Sequence, residues 1–173
     1  MWELLAAPPV WFRVVIWVVV GVPLAISMEW WARFLHGRMW HGPWYSLHED
    51  HHVERPGYFE KNDWFAVLHA SVAIPLMLYG CVGPLSAFRE VCFAVSLGMT
   101  GFGLSYAVVH DGLVHGRLPV GFLRRFAWIR RIEAAHKVHH RDGAEPYGLF
   151  AGPAEVKAIA ARNRAARQES LAR

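Results

Sequence analysis

The sequence is short of charge and short of cysteine. Charged residues make up 18% of the chain, against about 25% in ordinary soluble domains, which argues against a freely soluble globular protein. The two cysteines, Cys81 and Cys92, stand in apolar surroundings without metal-type spacing. They read as buried thiols, not as metal ligands or a disulfide framework. There is no Gly-rich phosphate loop and no nucleic-acid motif. The formal charge of +4 therefore does not indicate a nucleic-acid partner, because the basic residues flank apolar runs instead.

What is abundant is apolar. Hydrophobic residues are 54% of 173, with nine Trp and ten Phe. The length fits one domain, and the composition points to a membrane. Three runs, about residues 10–28, 64–83 and 88–109, approach the roughly 20 residues that cross the hydrocarbon core. The first reads as a span and not as a cleaved leader, because further spans follow. Its Arg13 is expected to snorkel to the interface, and Pro23 to kink the helix. Residues 29–61 carry Trp30, Trp31, Trp40, Trp44, Tyr45, Tyr58 and Phe59, rings suited to an interface. Pro56-Gly57 predicts a turn, and Asn62 or Asp63 a helix cap. In the third span Gly101 and Ser105 make a small-xxx-small pair, which either permits close helix packing or leaves room for a long flat ligand. Residues 118–135 mix apolar positions with Arg124, Arg125, Arg130 and Arg131 and read as an interfacial amphipathic helix. Residues 153–173 form a basic tail, expected to be a solvated or membrane-lying helix without chemistry.

The chemistry lies in the histidines. His36-Gly-Arg-Met-Trp-His41 precedes His48-Glu-Asp-His51-His52, and His110-Asp-Gly-Leu-Val-His115 precedes His136-Lys-Val-His139-His140. A pair spaced H-x4-H thus precedes a triplet H-x2-H-H, twice. Ten of the eleven histidines fall in this pattern. The two blocks span residues 36–52 and 110–140. Imidazole is a common metal ligand, and ten exceed what one ion can use, so the pattern suits two ions. The i, i+3, i+4 triplets share a helix face. The i, i+5 pairs stand about 140° apart on an ideal α-helix, so they straddle a site or sit where a helix ends, as Gly42-Pro43 suggests. One crossing precedes the first block and two more precede the second, so both emerge on one side. Sixteen of the eighteen Lys and Arg lie on that side, which marks it as cytoplasmic; Arg13 and Arg89 are the exceptions. His69, inside the second span, reads as a neutral imidazole bonded to a neighbouring helix, with a pathway or ligand role as the alternative.

These boxes, with Asn62-Asp63, Gly98-Met-Thr100, Tyr106 and Val109-His110-Asp111, resemble the bacterial β-carotene 3-hydroxylases, histidine-box non-haem di-iron members of the fatty-acid hydroxylase superfamily. The likeness covers roughly residues 15–150 and departs at the two acids inside the first triplet. It implies an all-α integral membrane protein: a transmembrane bundle of about three spans, an interfacial amphipathic helix and a cytosolic di-metal site in the bacterial inner membrane. It implies hydroxylation at carbon 3 of β-ionone rings, β-carotene to β-cryptoxanthin to zeaxanthin, with O2 and two electrons from reduced ferredoxin.

Hydroxylating an unactivated C–H bond needs an oxidant that side chains do not supply. His36, His41, His48, His51, His52, His110, His115, His136, His139 and His140 are therefore expected to hold two irons, with zinc a substitute in purified protein. Glu49, Asp50 and Asp111 are candidate acceptors for the free imidazole N–H. Trp40, Trp44, Phe102 and Tyr106 are candidate walls for a hydrocarbon entering from the bilayer, and the Arg124–Arg131 face is a candidate surface for an acidic ferredoxin. The alternatives are a sterol or fatty-acyl hydroxylase or desaturase with the same boxes, and a metal transporter or store. The last expects ionisable groups deep in several spans, where only His69 stands.

Overall fold

A computed structural model describes residues 8–53 and 59–172. Glu3, Arg55, the Pro56-Gly57 turn, Tyr58 and Arg173 lie outside the described residues. Among those described, every regular element is helical. α1 is Val10–Leu35, α2 Tyr45–His52, α3 Asp63–Val82, α4 Ala87–Tyr106, α5 Ala127–Asp142 and α6 Gly152–Leu171. A π-helical turn, His36–Trp40, follows α1; a second, Ala107–Val114, follows α4; and a 3-10 turn, Gly121–Arg125, precedes α5. Among the described residues, three stretches are long and apolar enough to cross a membrane: Val10–Trp40, Asp63–Val82 and Ala87–Val114. The first helix outruns its apolar run because hydropathy marks the bilayer, not the helix end. Residues 29–36 contain no Gly or Pro that would stop it.

The chain divides into two compact units, with boundaries inside α1 and α4. One comprises Met1–Met28 and Phe59–Ser105, the other Glu29–Tyr58 and Tyr106–Arg173. In the first unit the helices meet at glycines. A Cβ on Gly98 would lie 2.6 Å from the Gly21 carbonyl oxygen, and one on Gly80 2.7 Å from Phe93 Cβ. Of the two readings of the Gly101–Ser105 pair, the close helix seam is not formed among the described residues. Gly101 has nothing within 4 Å of a Cβ position, and the Ser105 hydroxyl donates to the Gly101 carbonyl of its own helix at 2.8 Å. The register of α4 against α1 puts Gly98, one turn earlier, at the contact.

Arg13 has a partner inside the first unit. Its Nε lies 3.0 Å from Oε1 of Glu90, a carboxylate that is 1% exposed. Trp17 Nε1 donates to the other oxygen at 2.8 Å, and Arg89 Nε approaches within 4.0 Å. The two arginines that stood apart from the other sixteen basic residues thus share one buried acid. His69 donates its Nδ1–H to the Phe65 carbonyl, 2.7 Å away and one turn back in its own helix. That contact belongs to α3 itself, not to a neighbouring helix.

The second unit has its own apolar core of Val109, Leu113, Ile129, Ile132 and Leu149, with Tyr106, Val120, Leu123 and Phe150 against it. The amphipathic stretch is not one helix over 118–135. Pro119 and the 3-10 turn Gly121–Arg125 interrupt it, and Phe126 is extended at φ −87, ψ 125. α5 starts only at Ala127 and runs through the second triplet. It ends at Gly143, which takes the left-handed φ of 63 that closes a helix. Its buried stripe is Ile129, Ile132, Glu133, His136 and His139, so the apolar face continues directly into the histidine face. Arg124 holds Glu133 through two bonds of 3.0 Å and the Leu113 carbonyl through another. Arg130 donates to the Arg124 carbonyl at 2.6 Å. Arg124 and Arg130 thus brace the turn before α5.

Candidate metal centre

The ten patterned histidines gather in the second unit as two groups of five. The first is His36, His41, His48, His52 and His139; the second is His51, His110, His115, His136 and His140. Within each group the ligand nitrogens all lie within 4.8 Å of one another. Nitrogens on opposite sides of one ion, ~2.1 Å from it, stand about 4.2 Å apart. Each group therefore has the dimensions of a single ion's donor set.

Local helix geometry explains the spacing. Both H-x4-H pairs lie on the π-helical turns, where the His41 N–H donates to the His36 carbonyl and the His115 N–H to the His110 carbonyl, each at 3.0 Å. A bond from i+5 to i stacks residues five apart, as an α-helix stacks residues four apart. The 140° separation of an ideal α-helix is thereby removed. The ring centroids of His36 and His41 are 5.1 Å apart, and those of His110 and His115 4.7 Å.

The triplets behave differently. They lie on α2 and α5 as their spacing predicts, but each divides between the two groups. Consecutive residues on an α-helix diverge by about 100°, so His51 and His52, or His139 and His140, face different centres. The i and i+4 members stay with their own block, and the i+3 member crosses to the other. His51 Nε2 lies 3.1 Å from His110 Nε2, and His139 Nε2 lies 3.1 Å from His41 Nε2. Each group is thus one π pair, one i, i+4 pair and one histidine lent by the opposite block.

Three rings are held by their outer nitrogen. His36 Nδ1 donates to the Tyr147 carbonyl at 2.8 Å, His139 Nδ1 to the Ala144 carbonyl at 2.7 Å, and His110 Nδ1 to Asp111 Oδ1 at 2.7 Å. With Nδ1 protonated, each Nε2 presents a lone pair inward. His115 Nε2 is buried without a hydrogen-bond partner. Converging lone pairs repel one another unless a cation lies between them, so this donor set fits a metal ion. Of the acids expected to act as acceptors, Asp111 makes such a bond, Asp50 is buried, and Glu49 points to the exposed side of α2. The Tyr147 and Ala144 carbonyls carry no sequence signal, because any residue supplies a carbonyl.

Burial and neighbouring imidazoles keep these groups neutral. Burial, then His52, holds His41 at about 4. Burial, then His110, holds His115 at about 3. Burial holds His139 at about 4, and the crowding of other imidazoles, His41 first, acts in the same direction. The folded values lie below the ~6.5 of an unfolded histidine. The unfolded chain therefore binds more protons between the two values, and stability falls as pH drops through that window. For metal-free protein, the thermal midpoint is expected to be flat above pH 7 and to fall steadily from about pH 6.5 toward pH 4, measured by circular dichroism in detergent. A midpoint independent of pH across that window would contradict the neutral-imidazole arrangement.

Trp40 is buried, its ring 5.3 Å from that of His36 and 5.6 Å from that of His48. The Tyr106 ring is 4.7 Å from that of His110. Trp44 is more exposed, at 37%, and Phe102 belongs to the other unit. A polar cavity of about 470 Å³ opens on His41, Tyr45, His52, His140, Arg141, Asp142 and Gly143. It touches members of both groups and gives them an aqueous face.

The family model for fatty acid hydroxylases matches residues 17–154. This chain belongs to the fatty acid hydroxylase family. Within that family it is similar to β-carotene 3-hydroxylase 2, chloroplastic, of Arabidopsis thaliana, 44% identical over 142 residues that make up 81% of this chain and 46% of that protein. It is 44% identical to the chloroplastic β-carotene 3-hydroxylase of Gentiana lutea, over 81% of this chain and 44% of that protein. With the β-carotene hydroxylase of Pseudescherichia vulneris it shares 41% identity over 78% of this chain and 77% of that protein. The chain spans about half the length of the plant relatives. No solved structure matches it. Together with the three membrane-capable helices among the described residues, membership makes this chain a membrane protein. Its two histidine groups both fall inside the matched residues.

Proposed function

We propose that this chain is a β-carotene hydroxylase that adds hydroxyl groups at carbon 3 of β-ionone rings, taking β-carotene to β-cryptoxanthin and zeaxanthin. The observation that carries the reading is the pair of five-histidine groups, each sized for one ion, in a chain whose relatives are named β-carotene hydroxylases. Two irons, one in each group, with O2 and two electrons from reduced ferredoxin, supply the oxidant that side chains lack. The protein's part is orientation and exclusion. Tyr147, Ala144 and Asp111 fix the rings of His36, His139 and His110, so that their Nε2 atoms point inward without rearrangement. Their neutral nitrogen donors would leave the charge of bound ions uncompensated. Trp40 and Tyr106 are the aromatic walls closest to the two groups, suited to an apolar ring end and to keeping water away from it. The carotenoid enters from the bilayer. The polar cavity beside His41, His52 and His140 serves water and protons from the cytoplasmic side of a bacterial inner membrane, where the acidic ferredoxin docks.

The test is pigment analysis after expression in cells that make β-carotene. Zeaxanthin and β-cryptoxanthin are the expected products. Their absence, with iron loaded and ferredoxin supplied, would overturn the carotenoid assignment. Hydroxylated fatty acid or sterol in the same extracts would favour the other substrate classes.

A further inference from the structure

The loop between α5 and α6 carries both carbonyls that orient histidines of the first group: Ala144 for His139 and Tyr147 for His36. The Tyr147 ring also lies 5.4 to 5.7 Å from the rings of His36, His41 and His139. Its seat depends on Gly37, where a Cβ would fall 2.7 Å from the Tyr147 ring. The loop therefore serves one group only. His110, in the second group, is oriented by Asp111 on its own π-helical turn.

Two carboxylates hold this loop. Glu155, in the first turn of α6, accepts the Tyr147 N–H at 3.0 Å on one oxygen and the Gly148 N–H at 3.1 Å on the other. Arg33 of α1 stands 3.2 Å from the same carboxylate. Glu29 of α1 accepts the Ala151 N–H at 2.8 Å. Gly148 lies between the acids, and a Cβ there would come within 2.5 Å of Glu155 Oε1 and 2.9 Å of Glu29 Oε1. Only glycine lets both close on the backbone. Glu155 stands one residue beyond the family match, which ends at 154, in a tail where the sequence shows no chemistry.

We propose that Glu155, braced by Arg33 and admitted by Gly148, is a positioning residue for one ion of the pair: it sets the Tyr147 carbonyl that orients His36. One planar peptide group transmits the effect, since Glu155 grips the Gly148 N–H at one end of it while His36 donates to the Tyr147 carbonyl at the other. The proposal rests on reading the two histidine groups as metal sites. Loss of a group that orients a ligand lowers metal affinity by about 10–100-fold, and here the loss should fall on one group.

The experiment is a Zn2+ titration of the purified full chain in detergent against a competing chromophoric chelator, with helicity checked by circular dichroism. In a His115→Ala background, where only the first group is intact, Glu155→Ala should weaken the remaining ion about 10–100-fold. In a His41→Ala background, where only the second group is intact, the same change should leave affinity as it was. Glu155→Gln, which keeps one acceptor oxygen, should recover part of the loss. Gly148→Ala, which keeps the acid but displaces it, should reproduce the selective effect if Glu155→Ala fails to fold. Equal weakening in both backgrounds would reduce Glu155 to a general structural role and overturn the proposal, as would no weakening in either. A parent chain that holds no ions would instead overturn the metal reading itself.

Discussion

Changing His136 and His139 together to Ala is expected to abolish binding of both ions, although the two residues are neighbours on α5. Changing His41 and His139 together, 98 positions apart, is expected to abolish binding of only one. The reason is the crossing of the i+3 histidines: His139 shares its centre with His36, His41, His48 and His52, whereas His136 shares the other with His51, His110, His115 and His140. Each loss should exceed the about 10–100-fold that follows removal of a group that merely orients a ligand. Metal content per chain, by elemental analysis after dialysis, distinguishes the outcomes. If the His136/His139 variant kept one ion and the His41/His139 variant none, the triplets would act as intact units and the crossed arrangement would be wrong. Turnover should vanish in His139→Ala and His110→Ala alike while both variants still insert into the membrane, because either loss breaks a centre of the pair.

Glu90→Ala is expected to cost about 3 kcal/mol or more of folding stability, the size found when one partner of a buried ion pair is removed. Glu90 is almost fully buried, and it answers Arg13, Arg89 and the Trp17 indole together. Without it two guanidinium groups remain in an apolar setting without their counter-charge. The measurement is the unfolding midpoint in mixed detergent, read against Gly101→Ala. That substitution enters open space beside the Gly101 backbone and should be close to neutral. Near-equal midpoints would show that Arg13 and Arg89 find water or lipid headgroups as readily as Glu90, and that the shared carboxylate contributes little.

The spans and the histidine pattern were legible because each depends on sequence neighbours. Apolar length marks α1, α3 and α4 whatever they pack against, and the i, i+3, i+4 spacing places each triplet on one face of its helix. Other features could not be read that way. The small face of α4 offered Gly98 and Gly101 equally, and only the register against Gly21 selected Gly98. The partner of Arg13 could not be read, because Glu90, 77 positions away, carries no local mark of pairing with it. The amphipathic stretch before the second triplet appeared continuous because hydropathy does not register the extended turn at Phe126.

The histidine spacings by themselves pointed to a two-ion site and marked the ten side chains available for it, since ten imidazoles exceed what one ion can use. Tertiary structure decided how the ten are shared. An H-x4-H pair converges only because the backbone widens its turn to pair residues five apart, and a triplet divides because adjacent side chains on an α-helix point about 100° apart. The crossing of His51 and His139, and the carbonyls of Ala144 and Tyr147 that orient their group, arise where distant segments meet. No local rule encodes such meetings, because any residue can supply a carbonyl and a lone histidine does not name its partner.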